Sequence, residues 1–201
     1  MPKRLAKILL FAILATGISL AVLLAVYWTP DRSVDDLKKW QLPNSEFIEI
    51  SGMQAHVVRS AKCTNADSAK TIVLLHGTSA SLHTWQGWTE EFSDDYCVVS
   101  MDLPGFGLTG PFTDRNKEYT SANYAEFVIE VLDKLELDNV ILAGNSLGGK
   151  IAWRTAALYP ERVSKLILVD AVGYPATPKS IPIGFRLAAY PALKPILMNI
   201  L

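Results

Sequence analysis

The sequence predicts an α/β fold: a doubly wound, mostly parallel sheet behind an N-terminal transmembrane helix. Three observations predict it. An uncharged apolar run, Ile8 to Trp28, opens the chain. Four short continuous apolar runs follow later, Thr71–Leu75, Cys97–Ser100, Val140–Ala143 and Leu166–Val169; such runs suit parallel strands covered on both faces. Helical patterns lie between them, so strands alternate with helices.

The first element is an anchor by length. Its run of about 20 residues crosses a hydrocarbon core of roughly 30 Å at about 1.5 Å per residue. Lys3, Arg4 and Lys7 precede it, and Tyr27 and Trp28 close it as interfacial aromatics do. The competing reading is a cleaved secretory signal, whose apolar stretch is usually about 7–15 residues; no convincing A-x-A site follows this one. The excess of positive charge before the run places the N-terminus in the cytoplasm. Everything after Trp28 then lies on the other side, periplasmic or extracellular. Residues 1–28 are read as N-terminus and anchor, and 29–43 as a polar juxtamembrane linker.

The soluble part, 44–173, begins with a hairpin. Glu46–Ser51 and Met53–Ser60 are short strand-like runs separated by Gly52, and they read as an antiparallel pair on a tight turn. His56 is read there as a strand residue on a half-exposed face. A polar loop, Ala61–Lys70, leads to the first parallel strand. The best helix is Ser121–Leu137, where Tyr124, Phe127, Val128, Val131, Leu132 and Leu135 recur at helical spacing. Thr120 or Ser121 supplies the hydroxyl cap at its start.

Composition excludes several functions. The 201 residues carry a net charge of −1, with no basic stripe for nucleic acid. Cys63, Cys97, His56, His76 and His83 are too few and too scattered for a zinc site, and neither C-x-x-C nor H-E-x-x-H occurs. No metal and no cofactor is implied.

Open α/β sheets hold ligands at the carboxyl ends of their strands, and three strands here end in distinctive loops. One reads His76–Gly77–Thr78–Ser79, the next Asp102–Leu103–Pro104–Gly105–Phe106–Gly107. The third runs into Gly144–Asn145–Ser146–Leu147–Gly148–Gly149 and then a helix. This last is G-x-S-x-G between strand and helix. Its glycines permit a sharp turn that lifts the Ser146 hydroxyl above the sheet at a helix N-terminus. The N–H of Leu147, with a second from Thr78, would face negative charge developing on a tetrahedral intermediate. Gly144–Lys150 also fits most of a phosphate-loop pattern. Ile151 stands where that pattern needs Ser or Thr, so the Mg²⁺ ligand is missing.

From about Glu46 to Val172 the chain resembles the α/β-hydrolase superfamily, in particular the branch of meta-cleavage-product hydrolases, enol-lactonases and related esterases. The resemblance rests on LLHGTSASLHTW (Leu74–Trp85), DLPGFGLTGP (Asp102–Pro111) and GNSLGG (Gly144–Gly149). It implies Ser146 as nucleophile and the amides of Thr78 and Leu147 as oxyanion hole. His76, Gly77, Asp102, Gly144, Asn145 and Gly148 fall at positions that shape loops and pocket, and His83 near the pocket rim. Serine at the elbow separates the chain from epoxide hydrolases and haloalkane dehalogenases of this fold, which use aspartate there. The chemistry implied is ester, thioester, lactone or activated C–C cleavage of a small-molecule acyl substrate through an acyl-enzyme.

The family's triad runs serine, acid, histidine in chain order, and no histidine follows Ser146. Asp170, after the last strand, stands where some members carry the acid; a loop-shaping role is its other reading. Leu166–Val169 would form an open sheet edge. Residues 174–201, with Pro175, Pro178, Pro182, Pro191 and Pro195 among Phe185, Leu187, Ile196 and Leu197, read as the start of a cap. The expectation is therefore an incomplete hydrolase fold, the first six strands and the start of a cap, inactive as this chain alone. The alternative is a non-catalytic membrane-bound remnant. Partners implied are the acyl substrate and a lipid bilayer; composition fixes no oligomeric state. In the family's strand order the strands bearing Cys63 and Cys97 are antiparallel neighbours, so both cysteines would lie at the sheet end opposite Ser146. That leaves a disulfide, in an oxidising compartment, or two free thiols.

Overall fold

The computed structural model describes residues 3–28, 30, 32–65, 70–175, 181 and 183–193. They divide into two compact units, one of residues 32–175 and one of residues 1–31 with 176–201. In the second unit, α1 (Lys3–Tyr27) has acidic residues neither in its first turn nor elsewhere. Arg4–Tyr27 is long and apolar enough to cross a membrane, its most apolar 18-residue window having mean hydropathy 2.7. α6 (Ile183–Ala188) belongs to the same unit. Pro178, Pro182, Pro195, Ile196 and Leu197, read from the sequence as part of a cap, lie outside the described residues.

The unit of residues 32–175 is built on one six-stranded sheet of order β1-β2-β4-β3-β5-β6. β1 (Ser45–Ile50) and β2 (Met53–Arg59) form the hairpin. Ser51 and Gly52 turn it with φ of 48° and 80°, the paired positive angles of a type I′ turn. β2 then pairs antiparallel with β4 (Cys97–Met101). β3 (Thr71–Leu75), β5 (Val140–Asn145) and β6 (Val163–Val169) complete the sheet, each parallel to its neighbours.

The central strands are buried on both faces because successive side chains alternate between them. Val73, Leu75, Val99, Met101, Val140 and Leu142 join one core with Tyr124, Phe127, Val131 and Leu132 of α4 (Ser121–Lys134) and Ile151 and Ala152 of α5 (Leu147–Leu158). Ile72, Leu74, Val98, Ile141 and Ala143 face the opposite way, onto Trp85 and, from α3 (Gln86–Phe92), Trp88. The Thr120 hydroxyl accepts the Asn123 N–H and caps α4. β6 is the edge strand, and its Leu166 is 39% exposed.

Three features depart from the sequence reading or extend it. His56 does not lie on a half-exposed face: it is completely buried, because the Asp102 carboxylate at the end of β4 lies against its ring. Residues 32–43 also carry structure of their own. α2 (Val34–Leu37) starts at a capping box in which Ser33 and Asp36 bond reciprocally. A 3-10 turn, Lys38–Trp40, follows and is held when the Trp40 carbonyl meets His83 Nε2 at 2.9 Å. Cys63 and Cys97 form a disulfide, their Cα atoms 4.6 Å apart. The antiparallel pairing of β2 with β4 brings them together.

Candidate active site

The turn from β5 into α5 holds its backbone in a tightly constrained conformation. Ser146 adopts φ 51°, ψ −111°, a conformation L residues hold only when their surroundings enforce it. Three bonds enforce it. The Ser146 N–H donates to the Val169 carbonyl at 3.0 Å, while its own carbonyl accepts from Lys150 at 3.0 Å and Val172 at 3.1 Å. The end of β6 therefore straps the turn from one side. β3 closes the other: a Cβ added at Gly148 would sit 2.1 Å from the Leu75 carbonyl oxygen, so only glycine lets α5 start so near the sheet. The Ser146 hydroxyl does not cap α5 and the residue is partly exposed.

Around this turn the loops after β3 and β4 are tied to each other through buried polar groups. Asp102 is 1% exposed and accepts four-sided support. Its Oδ2 takes His56 Nδ1–H at 2.7 Å and the Leu108 N–H at 2.8 Å, its Oδ1 takes the Leu82 N–H at 2.8 Å. Its backbone carbonyl takes the Thr109 hydroxyl at 2.7 Å. Burial pushes the Asp102 pKa up, but these hydrogen bonds from His56, Leu108 and Leu82 outweigh it and hold the carboxyl below its usual range. Gly107 is dictated by the same carboxylate, since its φ is +52° and a Cβ there would lie 2.1 Å from Oδ2. His76, fully buried, meets the Gly77 carbonyl through Nδ1 at 2.8 Å and the Leu103 N–H through Nε2 at 3.0 Å. Burial lowers its pKa, against the pull of Gly77 and Asp102.

The other residues singled out in the sequence lie on the elbow itself or on the loops after β3 and β6. Asn145 donates from Nδ2 to the Val169 carbonyl at 3.2 Å. Gly144 lies against the backbone of Gly148, and Leu147 is the first residue of α5. Thr78 is exposed in the loop just after Gly77. Asp170 is exposed at the end of β6, with φ 46°. His83 bonds to the Ser81 hydroxyl at 3.0 Å as well as to Trp40. The three histidines are thus each engaged through both ring nitrogens, His56 having Ser45 Oγ at 2.7 Å from Nε2. Among the described residues, no group of three or more His, Cys, Asp or Glu could hold a metal ion.

Sequence reasoning missed the Ser45–His56–Asp102 chain and the cavity beside it. That cavity, of about 380 Å³, is lined by Leu37, Trp40, Ser81, His83, Gly107 and Leu108 together with Asp102. The usable signal was Asp102 itself, a carboxylate in a tight glycine-rich loop that must find several donors.

Residues 70–190 match the sequence profile of the alpha/beta hydrolase fold family. The 1-acylglycerol-3-phosphate O-acyltransferase of Rattus norvegicus is 38% identical over 129 residues, which are 61% of this chain and 37% of that protein. Epoxide hydrolase 4 of Homo sapiens is 32% identical over 123 residues, 61% of this chain and 33% of that one. The chain thus spans roughly a third of the length of the curated relatives it matches. Among solved structures, a bacterial membrane phospholipase A superposes with TM-score 0.62 at 23% identity, covering 94% of this chain and 57% of that one. A meta-cleavage product hydrolase from Pseudomonas fluorescens superposes with TM-score 0.60 at 25% identity, covering 72% and 49%.

Proposed function

The chain belongs to the alpha/beta hydrolase fold family, and from that premise we propose that it is a serine hydrolase held in a membrane by α1, cleaving an acyl substrate through an acyl-enzyme on Ser146. The observation that carries this reading is the enforced φ 51° at Ser146 between β5 and α5, with its hydroxyl free of the helix cap. In this reading Ser146 Oγ attacks the substrate carbonyl and a base takes its proton. The Leu147 and Thr78 N–H groups bind the oxyanion, the leaving group departs protonated, and water then releases the acyl group. Asp170 is the candidate for the acid that would orient the base. The O-acyltransferase named among the similar proteins is in keeping with an acyl ester as substrate.

The localisation belongs to the same proposal. With Arg4 and Lys7 ahead of the apolar run, the N-terminus lies in the cytoplasm and the sheet domain beyond the membrane. The Cys63–Cys97 disulfide fits an oxidising compartment on that side.

A second reading, a membrane-bound module without turnover, is favoured by one observation: His56, His76 and His83 are all engaged away from Ser146. One experiment separates the two. The detergent-solubilised chain and the product isolated from its native membrane are assayed against p-nitrophenyl acyl esters and a fluorescent fluorophosphonate. The hydrolase reading expects labelling and turnover in the native product, reduced at least about 10³-fold in Ser146→Ala. Equal rates in the native product and its Ser146→Ala variant, or no turnover in the native product, would overturn it.

A further inference from the structure

We propose that His76 is the positioning residue of the oxyanion loop: held as the neutral Nδ1–H tautomer, it fixes the Gly77–Thr78 peptide so that the Thr78 N–H is turned toward Ser146. The inference rests on the reading of Ser146 as nucleophile.

The tautomer follows from the chemistry of the two partners. Leu103 N–H, 3.0 Å from Nε2, can only donate. The Gly77 carbonyl oxygen, 2.8 Å from Nδ1, can only accept. Of the three protonation states of an imidazole, only the one with its proton on Nδ1 and a lone pair on Nε2 satisfies both. The Nε2–H tautomer would set donor against donor and acceptor against acceptor. The imidazolium would set Nε2–H against Leu103 N–H. The ring cannot swing away to escape, because it is fully buried and Phe106 packs edge-on against it at 5.4 Å. Asp102 is the ionisable group that faces it, with Oδ1 4.0 Å from Nε2; that oxygen is already occupied by Leu82. Burial lowers the pKa of His76, in keeping with a neutral ring.

The consequence for Ser146 is geometric. The Gly77 carbonyl and the Thr78 N–H belong to one planar trans peptide and point in opposite directions. A ring that captures the carbonyl on one side therefore turns the N–H to the other. The elbow lies alongside this peptide: a Cβ placed on Gly77 would be 3.3 Å from the Ser146 Cβ and 2.9 Å from Asn145 Oδ1. His76 also ties this peptide to the loop after β4 through Leu103, so one side chain sets the position of the oxyanion donor relative to the neighbouring loop.

Two measurements test this in detergent micelles, the first on the chain and the second on the product isolated from its native membrane, alongside its variants. Long-range ¹H–¹⁵N spectra of the histidine-labelled protein at neutral pH, assigned with His76→Asn, should give His76 protonated at Nδ1 and bare at Nε2. An Nε2–H ring or an imidazolium overturns the inference. The second measurement is the rate at which a fluorophosphonate labels Ser146 in the wild type, His76→Ala, His76→Gln and His76→Asn. Removing a whole oxyanion donor costs about 10²–10³-fold; a donor merely released should cost about 10-fold or more, in His76→Ala and in His76→Gln alike. The Asn amide can stand at the place of Nδ1 and donate to Gly77, so His76→Asn should recover most of that loss. Equal rates in all four proteins overturn the positioning role alone. Absence of wild-type labelling overturns the nucleophile reading, and the positioning role with it.

Discussion

Replacing Asp102 by Asn keeps the size of the side chain and removes its charge, and the structure fixes what this should cost. One carboxylate oxygen takes His56 Nδ1–H and the Leu108 N–H, the other the Leu82 N–H. Whichever way the new amide turns, its NH₂ meets a backbone N–H, so at least one buried donor loses its acceptor. Such an orphan costs about 1–3 kcal/mol, and because the lost acceptor is a charged carboxylate the loss should lie near the upper end, about 3 kcal/mol. Urea unfolding in detergent micelles, followed by tryptophan fluorescence at pH 7, reads it. With a slope of about 1–3 kcal/mol per molar, the midpoint should fall by about 1–3 M. The pH dependence adds a second readout. Asp102 in the folded protein has its pKa below the usual 3.8, so its contribution is present above 3.8 and is lost as pH falls through the folded value. The gap between wild type and Asp102→Asn should therefore close in acid. A variant within about 0.5 kcal/mol of wild type at pH 7, or a gap constant with pH, would refute the account of Asp102 as the tie between the loops.

Gly148→Ala should unfold at least about 3 kcal/mol more easily, beyond the usual range for an overpacked site, because the added carbon meets the Leu75 carbonyl at 2.1 Å; equal denaturation midpoints would sink this. Reducing the disulfide, or making Cys63→Ser with Cys97→Ser, releases a cross-link between residues 34 apart, for which chain entropy gives about 4 kcal/mol; a reductant without effect on the unfolding midpoint would contradict it. Burial holds the His76 pKa below 6.5 in the folded protein. The unfolded chain then binds the extra proton first, and stability should decline as pH falls below 6.5. His76→Asn should lose that component of the slope, and an unchanged slope between pH 7.5 and 5 would count against it.

What was legible in the sequence is what neighbours in sequence decide. The run Thr71–Leu75 has the same ends in the structure as in the sequence, because Lys70 and His76 bound it. β6 begins at Val163, before the apolar run Leu166–Val169. As an edge strand it carries Ser164 and Lys165 on exposed positions, which the pattern of a strand buried on both faces does not admit. α4 stops at Lys134 although Leu135 and Leu137 continue its apolar stripe. Glu136 takes φ 56°, its N–H bonds to Asp133 and the Leu137 N–H reaches back to Leu132 at 2.9 Å, a Schellman close made without the glycine that would have announced it. The burial of His56 was not legible because it depends on Asp102, 46 residues away. The family resemblance was legible because three motifs sit at the ends of three strands, and the match over residues 70–190 bears it out.

The same division runs through the site. On the proposed reading, the oxyanion half depends on backbone that short motifs determine: Gly148 brings α5 down onto β3, Asn145 and Ser146 are strapped by Val169 and Val172, and Gly77 lies beside Ser146. The base half is a different kind of problem. A serine hydroxyl needs a proton acceptor within hydrogen-bond reach, and each histidine here already spends both ring nitrogens on other partners. Freeing one would dismantle the loop it supports: His56 from Asp102, His76 from Gly77 and Leu103, His83 from Trp40. On the reading of Ser146 as nucleophile, its proton acceptor is then a group other than these three histidines.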